Sequence, residues 1–163
     1  MNCTFRVAGK DEIERMIELR MEFIREFRPE YSKERLGDIE RGSTDFIREK
    51  IAQGLYTAFF GEEDGQIVCA AAFLFYDYPP ISCEKPRRIG HVLNFYTRKP
   101  YRRQGLGRAL MQYLLEYARE NGLAKVDLDA SEDGYPLYLE CGFKTNDRYM
   151  HYVLNSVPTA SAT

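Results

Sequence analysis

Five basic residues, Arg98, Lys99, Arg102, Arg103 and Arg108, fall in a stretch that holds no acid, and Gly105 and Gly107 sit among them. That combination suits an anion. Backbone N–H groups at a helix start have no intrahelical acceptor and carry roughly half a positive charge, so phosphate oxygens bind there. Gly105 and Gly107 lack a Cβ, which lets a phosphate come close to the backbone. The net charge of the whole chain is −2, so the positive field is local and no nucleic-acid partner is expected.

The elements around this stretch must aim it. Residues 91–97 read as an apolar strand, and Leu106, Ala109, Leu110, Tyr113, Leu114, Tyr117 and Ala118 give one apolar helix face, ended by Gly122. Residues 125–130 read as another strand, so strand, helix and strand form a right-handed crossover with parallel strands. Upstream, Asp11 is placed to cap a helix through Ile13, Met16, Ile17, Phe23, Ile24 and Phe27 that Pro29 ends. Leu36, Ile39, Phe46, Ile47 and Ile51 predict more helix, broken near Gly42 and stopped by Gly54. Strands 55–60 and 66–76 follow, joined by a hairpin at Asp64-Gly65. Residues 77–88, with Pro79, Pro80 and Pro86, predict a long irregular loop of the kind that covers a site. A short helix over 135–140 and a final pair of strands from Gly142 to about Leu154 complete the reading, with 155–163 as a peripheral tail.

At 163 residues the chain is long enough for one domain with a sizeable core, expected over 1–154. The longest apolar run, residues 68–76, falls far short of the ~20 residues that span a bilayer, and no signal pattern opens the chain. A cytoplasmic protein without a membrane partner is expected. Cys3, Cys69, Cys83 and Cys141 lack the paired spacing of metal sites, so reduced thiols and no metal are the expectation.

Glycine spacing separates three phosphate loops. No Gly-x-x-x-x-Gly-Lys-Ser/Thr run is present, which excludes a nucleoside-triphosphate loop of that kind. A dinucleotide fingerprint needs a third glycine where Leu110 stands, and a tighter turn than residues 98–104 allow, although Asp127 lies at a suitable distance for a ribose contact. The third is an Arg-x-x-Gly-x-Gly loop, here Arg102, Gly105 and Gly107. With its flanking strand and helix it resembles the GNAT superfamily of acyl-CoA N-acyltransferases. Residues 137–143, Leu-Tyr-Leu-Glu-Cys-Gly-Phe, are similar to a second element of that family.

The resemblance implies an α/β (α+β mixed) fold: a mixed, mostly antiparallel sheet flanked by helices, with splayed central strands. It also implies N-acetyl transfer from acetyl-CoA, directly, to a small-molecule or peptide amine. Arg102 would then belong to the coenzyme A site, amides of Arg103, Gln104, Gly105, Leu106, Gly107, Arg108 and Ala109 would hold the pyrophosphate, and the backbone of Phe95, Tyr96 and Thr97 would pair with the pantetheine arm. Ser131 stands where many relatives carry an Asn that contacts coenzyme A, and its hydroxyl keeps a hydrogen-bonding group there. Tyr138 matches the tyrosine that protonates the departing thiolate, reasonable chemistry for a phenol of pKa ~10 facing a thiol of ~8.5.

A substrate amine with a pKa near ~10.4 must lose a proton before it attacks. His91, six residues before Thr97, resembles in position a glutamate base of histone-type relatives, and imidazole suits the task at neutral pH. A structural His is the plainer reading, and Asp77, Glu84, Tyr101 or water are further candidates. Cys141 has no neighbouring base in sequence to make it a nucleophile. Two rivals stay open: an acyl-CoA sensor or structural module without turnover, and a dinucleotide oxidoreductase. Glu22, Glu26, Glu30, Asp77 and Glu84 could draw a cationic acceptor, blurred by Arg25, Arg28, Lys85 and Arg87 nearby. The acceptor and the oligomeric state, including a homodimer, are not specified by these residues.

Overall fold

The computed structural model describes residues 2–82, 86–152 and 154. Its elements run β1 (Thr4–Val7), α1 (Ile13–Phe27), α2 (Lys33–Ala52), β2 (Tyr56–Glu63), β3 (Gln66–Tyr78), β4 (Arg87–Thr97), a 3-10 turn (Lys99–Tyr101), α3 (Leu106–Glu120), β5 (Lys125–Asp127) and α4 (Tyr135–Glu140). The five strands lie in sequence order in one sheet, antiparallel except for the β4–β5 pair. That parallel pair, bridged by α3, is the crossover expected from the sequence, although β5 is three residues long rather than six.

Two cores sandwich the sheet. On one face α1 and α2 set Met16, Ile17, Met21, Ile24, Ile47 and Ile51 against Ala58, Phe60, Ala70 and Ala72. On the other, Leu106, Leu110, Met111 and Leu114 of α3 meet Phe59, Val68, Phe73, Phe75 and Val92. Strand alternation produces this split, since successive residues of β2 and β3 point to opposite faces. The β2–β3 hairpin turns at Asp64 (φ 50°) and Gly65 (φ 74°), the paired left-handed conformation of a type I′ turn.

Several local expectations are corrected. Glu12, not Asp11, occupies the N-cap of α1, and its carboxylate accepts the Gly9 amide at 2.7 Å while Arg6 of β1 grips it at 2.7 and 2.9 Å. Helix α2 runs unbroken through Gly42, because Ser43, Ile47 and Ile51 keep its buried face and offset a glycine cost of about 1 kcal/mol. Ser32 caps it by accepting the Arg35 amide at 3.1 Å. Strand β1 was not legible in advance, and the described residues after α4 contain no strand where a final pair was expected. Residue 153 and the tail 155–163 lie outside the described residues, as do Cys83, Glu84 and Lys85.

Candidate active site

Strand β4 is paired unequally. On one side it matches β3 from Tyr78↔Arg87 to Cys69↔Thr97; on the other it meets β5 at Ile89, Gly90 and His91 alone. Among the described residues the edge facing β5 has no strand partner beyond His91, so the two parallel strands part and leave backbone polar groups for something else to satisfy. This is the splay that the sequence resemblance implied.

A bulge re-phases the strand at that place. Ala72 faces Leu93 and Ala70 faces Tyr96, so three steps on β4 match two on β3, with Asn94 at φ 52°. Simple alternation from Val92, which packs toward α3, would send Phe95 toward α1. The extra residue reverses that: Phe95 packs with Tyr138 on the α3 side, ring centroids 5.8 Å apart, and Tyr96 packs on Phe23 of α1. Asn94 is held by Arg20 of α1, whose Nη1 donates to Asn94 Oδ1 at 2.5 Å while its Nε donates to Ser43 Oγ at 2.9 Å. Asn94 Nδ2 in turn donates to the Tyr56 hydroxyl at 3.2 Å. Arg20 makes no ion pair among the described residues, and burial lowers its pKa from the ordinary value.

The glycine loop sits beside Phe95. Gly105, φ 82°, is the N-cap of α3, a conformation that strains any residue with a Cβ. The first helical bond runs from the Ala109 amide to the Gly105 carbonyl, so the amides of Leu106, Gly107 and Arg108 precede it and point out of the helix start. A Cβ at Gly107 would stand 3.2 Å from Leu137 and 3.7 Å from Phe95, so this glycine also lets α3 close on α4 and β4. These features fit a pyrophosphate.

The basic stretch is less free than its sequence suggests. Both terminal nitrogens of Arg102 fork onto Glu26 of α1 at 2.6 and 2.8 Å, and its Nε donates to the Thr97 carbonyl at 2.7 Å. The Tyr96 hydroxyl donates to the same carboxylate at 3.0 Å. Arg102 thereby holds Glu26 below the ordinary carboxylate range, against the upward pull of burial. Arg98 forks onto Glu22 at 2.9 and 2.6 Å and donates to the Ile67 carbonyl. Arg108 pairs with Glu140, and Lys99 lies 3.8 Å from Glu26. Of the five cations, Arg103, at φ 60° and exposed, makes no ion pair among the described residues. Glu22 and Glu26 are thus engaged with arginines rather than left to attract an acceptor.

Tyr138 lies on α4 against Phe95 and Phe143, 9% exposed, and burial raises its phenol above the ordinary value. It therefore stays protonated at neutral pH. Phe95, Gly107 and Tyr138 meet at one place, while Ser131 lies at the turn into α4, where its hydroxyl accepts the Gly134 amide at 3.2 Å. Cys141 next to this helix is raised above the ordinary thiol value, chiefly by burial, which disfavours a thiolate nucleophile.

His91 belongs to a second group, at the point where β4 and β5 part. Its Nδ1 lies 2.8 Å from Asp127 Oδ1, and its Nε2 lies 3.7 Å from Asp129 Oδ2. Asp127 Oδ2 accepts from the Tyr76 hydroxyl at 2.5 Å and pairs with Lys125 Nζ at 2.8 Å. Burial pushes the Asp127 carboxyl up, yet the hydrogen bonds from Lys125, Tyr76 and His91 outweigh it and leave the group lowered. Sequence reasoning kept Asp127 as a ribose contact and missed this pairing; the parallel register His91↔Asp127 makes it, and no local motif announces it.

An open-edged strand beside a glycine-capped helix start suits a phosphate-bearing ligand. Residues 13–143 match the acetyltransferase (GNAT) family, and the chain belongs to that family. The chain is 35% identical over 98 residues to a glucosamine 6-phosphate N-acetyltransferase of Trypanosoma brucei brucei, a match covering 60% of this chain and 65% of the relative's length. The fold is similar to a Clostridium acetobutylicum protein solved with acetyl-CoA and described as a predicted acetyltransferase: TM-score 0.79, 28% identity, over 93% of this chain and 96% of that one. A GCN5-related N-acetyltransferase from Ralstonia eutropha JMP134 shares the fold at TM-score 0.77 and 24% identity, over 94% and 100% of the two chains. Against the dinucleotide alternative, Leu110 is fully buried where that fingerprint needs glycine, and Asp127 is already bonded to His91 and Tyr76. No helix among the described residues is long and apolar enough to cross a membrane.

Proposed function

We propose that the chain moves an acetyl group from acetyl-CoA directly to a primary amine, with both substrates bound together. The observation that carries this reading is the one-sided pairing of β4 beyond His91, beside the free amides at the start of α3. Those amides, from Arg103 to Arg108, suit the pyrophosphate, and the open edge along Phe95, Tyr96 and Thr97 suits the amide-bearing pantetheine arm. An oxyanion needs donors, so edge N–H groups of this stretch would meet the oxyanion of the thioester carbonyl, while the Thr97 carbonyl accepts from Arg102.

The chemistry then balances on protein groups. The amine gives its proton to His91, directly or through water, and its lone pair attacks the thioester carbon. As the new C–N bond forms and the C–S bond breaks, Tyr138 donates its phenolic proton to the sulfur. The buried phenol supports that assignment, since it stays a loaded acid at working pH. Residues 1–154 act as one domain in this reading, in a cytoplasmic setting where reduced thiols such as buried Cys69 are ordinary.

Thiol release from acetyl-CoA across a panel of amines tests the proposal. Glucosamine 6-phosphate heads the panel because the matched relative bears that substrate in its name, followed by amino acids, polyamines and peptide N-termini. Release that requires both acetyl-CoA and an amine supports transfer. Tight acetyl-CoA binding with no release for any amine favours a sensor, and tight binding of NAD in place of acetyl-CoA overturns both readings.

A further inference from the structure

The geometry points to Asp127 as a positioning residue for transfer, fixing the His91 imidazole so that its proton sits on Nδ1 and the lone pair of Nε2 faces the amine. This rests on His91 serving as the base in the proposed reaction.

The tautomer follows from what each atom can do. A carboxylate oxygen only accepts, so a ring nitrogen 2.8 Å from Asp127 Oδ1 must be the one carrying hydrogen. Neutral imidazole has one N–H, which leaves Nε2 as the acceptor. The orientation of the carboxylate is fixed in turn by two donors on its other oxygen, the Tyr76 hydroxyl from β3 and Lys125 Nζ from β5. Strand β4 lies between them, so three adjacent strands hold one proton in place. A second carboxylate, Asp129, lies 3.7 Å from Nε2 on a side chain 94% exposed. When Nε2 takes the amine's proton, the resulting imidazolium keeps its Nδ1–H bond to an ionised Asp127, which stabilises the charge as it forms.

The same donors predict what a single substitution does. In Asp127→Asn, the amide oxygen is drawn to Tyr76 and Lys125, which turns the NH2 group toward His91 Nδ1. Two donors cannot share that contact, so Nδ1 becomes the acceptor and the ring proton moves to Nε2, removing the base.

The test is long-range nitrogen–proton NMR of the ring on full-length protein. The chain has two histidines, so His151→Gln leaves His91 as the sole imidazole. The expected result is Nδ1–H in the parent and Nε2–H in Asp127→Asn, with kcat lowered by at least about 10²-fold and KM for acetyl-CoA within about twofold. His91→Gln should lose as much, and the double variant no more, since the two act as a unit. An Nε2–H tautomer in the parent overturns the inference even if no variant folds, and an unchanged tautomer in Asp127→Asn overturns it likewise. If the tautomer inverts while His91→Gln keeps full turnover, the base assignment of the proposed function fails. If His91→Gln loses turnover and the tautomer does not respond, His91 stands as base and Asp127 falls.

Discussion

The two faces of β4 are built on opposite principles. Toward α3 the strand is apolar: Val92 and Phe95 pack with Phe73, Leu110, Leu114 and the ring of Tyr138. Toward α1 and the splay, besides Leu93 and the Tyr96 ring packed on the α1 side, it carries a chain of polar contacts, Arg20 on Asn94, Glu26 on Tyr96 and Arg102, Asp127 on His91. Shape holds the first face, and hydrogen bonds add to packing on the second. A residue lost from the apolar side should therefore cost stability in proportion to volume, whereas one lost from the polar side should mis-aim backbone or protons.

The largest effect that would sharpen this contrast is Tyr138→Phe. It keeps the ring against Phe95 and removes the proposed acid, so kcat should fall about 10²-fold or more with the melting temperature nearly unchanged; full turnover at every pH would remove Tyr138 from the chemistry. Leu114→Ala, at a fully buried position, should lose about 2–5 kcal/mol in urea denaturation while residual folded protein keeps its kcat. Arg20→Met retains an apolar stem but strips Asn94 and Ser43 of their donor. A loss of about 1–3 kcal/mol is expected, and kcat should drop more than that alone explains, because the bulge aims Phe95. If kcat stays put, the bulge does not depend on Arg20.

A smaller effect separates the faces by pH. The folded-state pKa of Glu26 is depressed by Arg102, so its contribution is present above the unfolded value and is lost as pH falls through the folded one. Below pH ~5 the parent should lose unfolding free energy in urea denaturation more steeply than Glu26→Gln, by an amount under about 1 kcal/mol given the part-exposed guanidinium. Parallel acid profiles for the two proteins would show that this pair carries no net stability.

Legibility in the sequence divides along the same line. The apolar face is periodic, so α3, the β2–β3 hairpin and the anion-suited glycines could be read from spacing, and the family resemblance followed from them. The polar face depends on long-range pairing. Asn94 has a left-handed φ that nothing local demands, Arg20 meets it across 74 positions, and Asp127 meets His91 through strand register. Strand β1 escaped notice because four residues are too few to show alternation. Gly42 misled because burial of a neighbouring stripe outweighs one weak helix former.

The forked contacts of Arg98 and Arg102 on Glu22 and Glu26 bear on ionic strength. Cations already spent on internal carboxylates have no counterions to release, so donor binding would lean on fixed amide dipoles at short range, where dissolved salt screens little. The KM for acetyl-CoA should therefore change by less than about threefold between roughly 0.05 and 0.5 M salt. What response there is should vanish in Arg103→Gln, the change that removes the cation left outside those pairs.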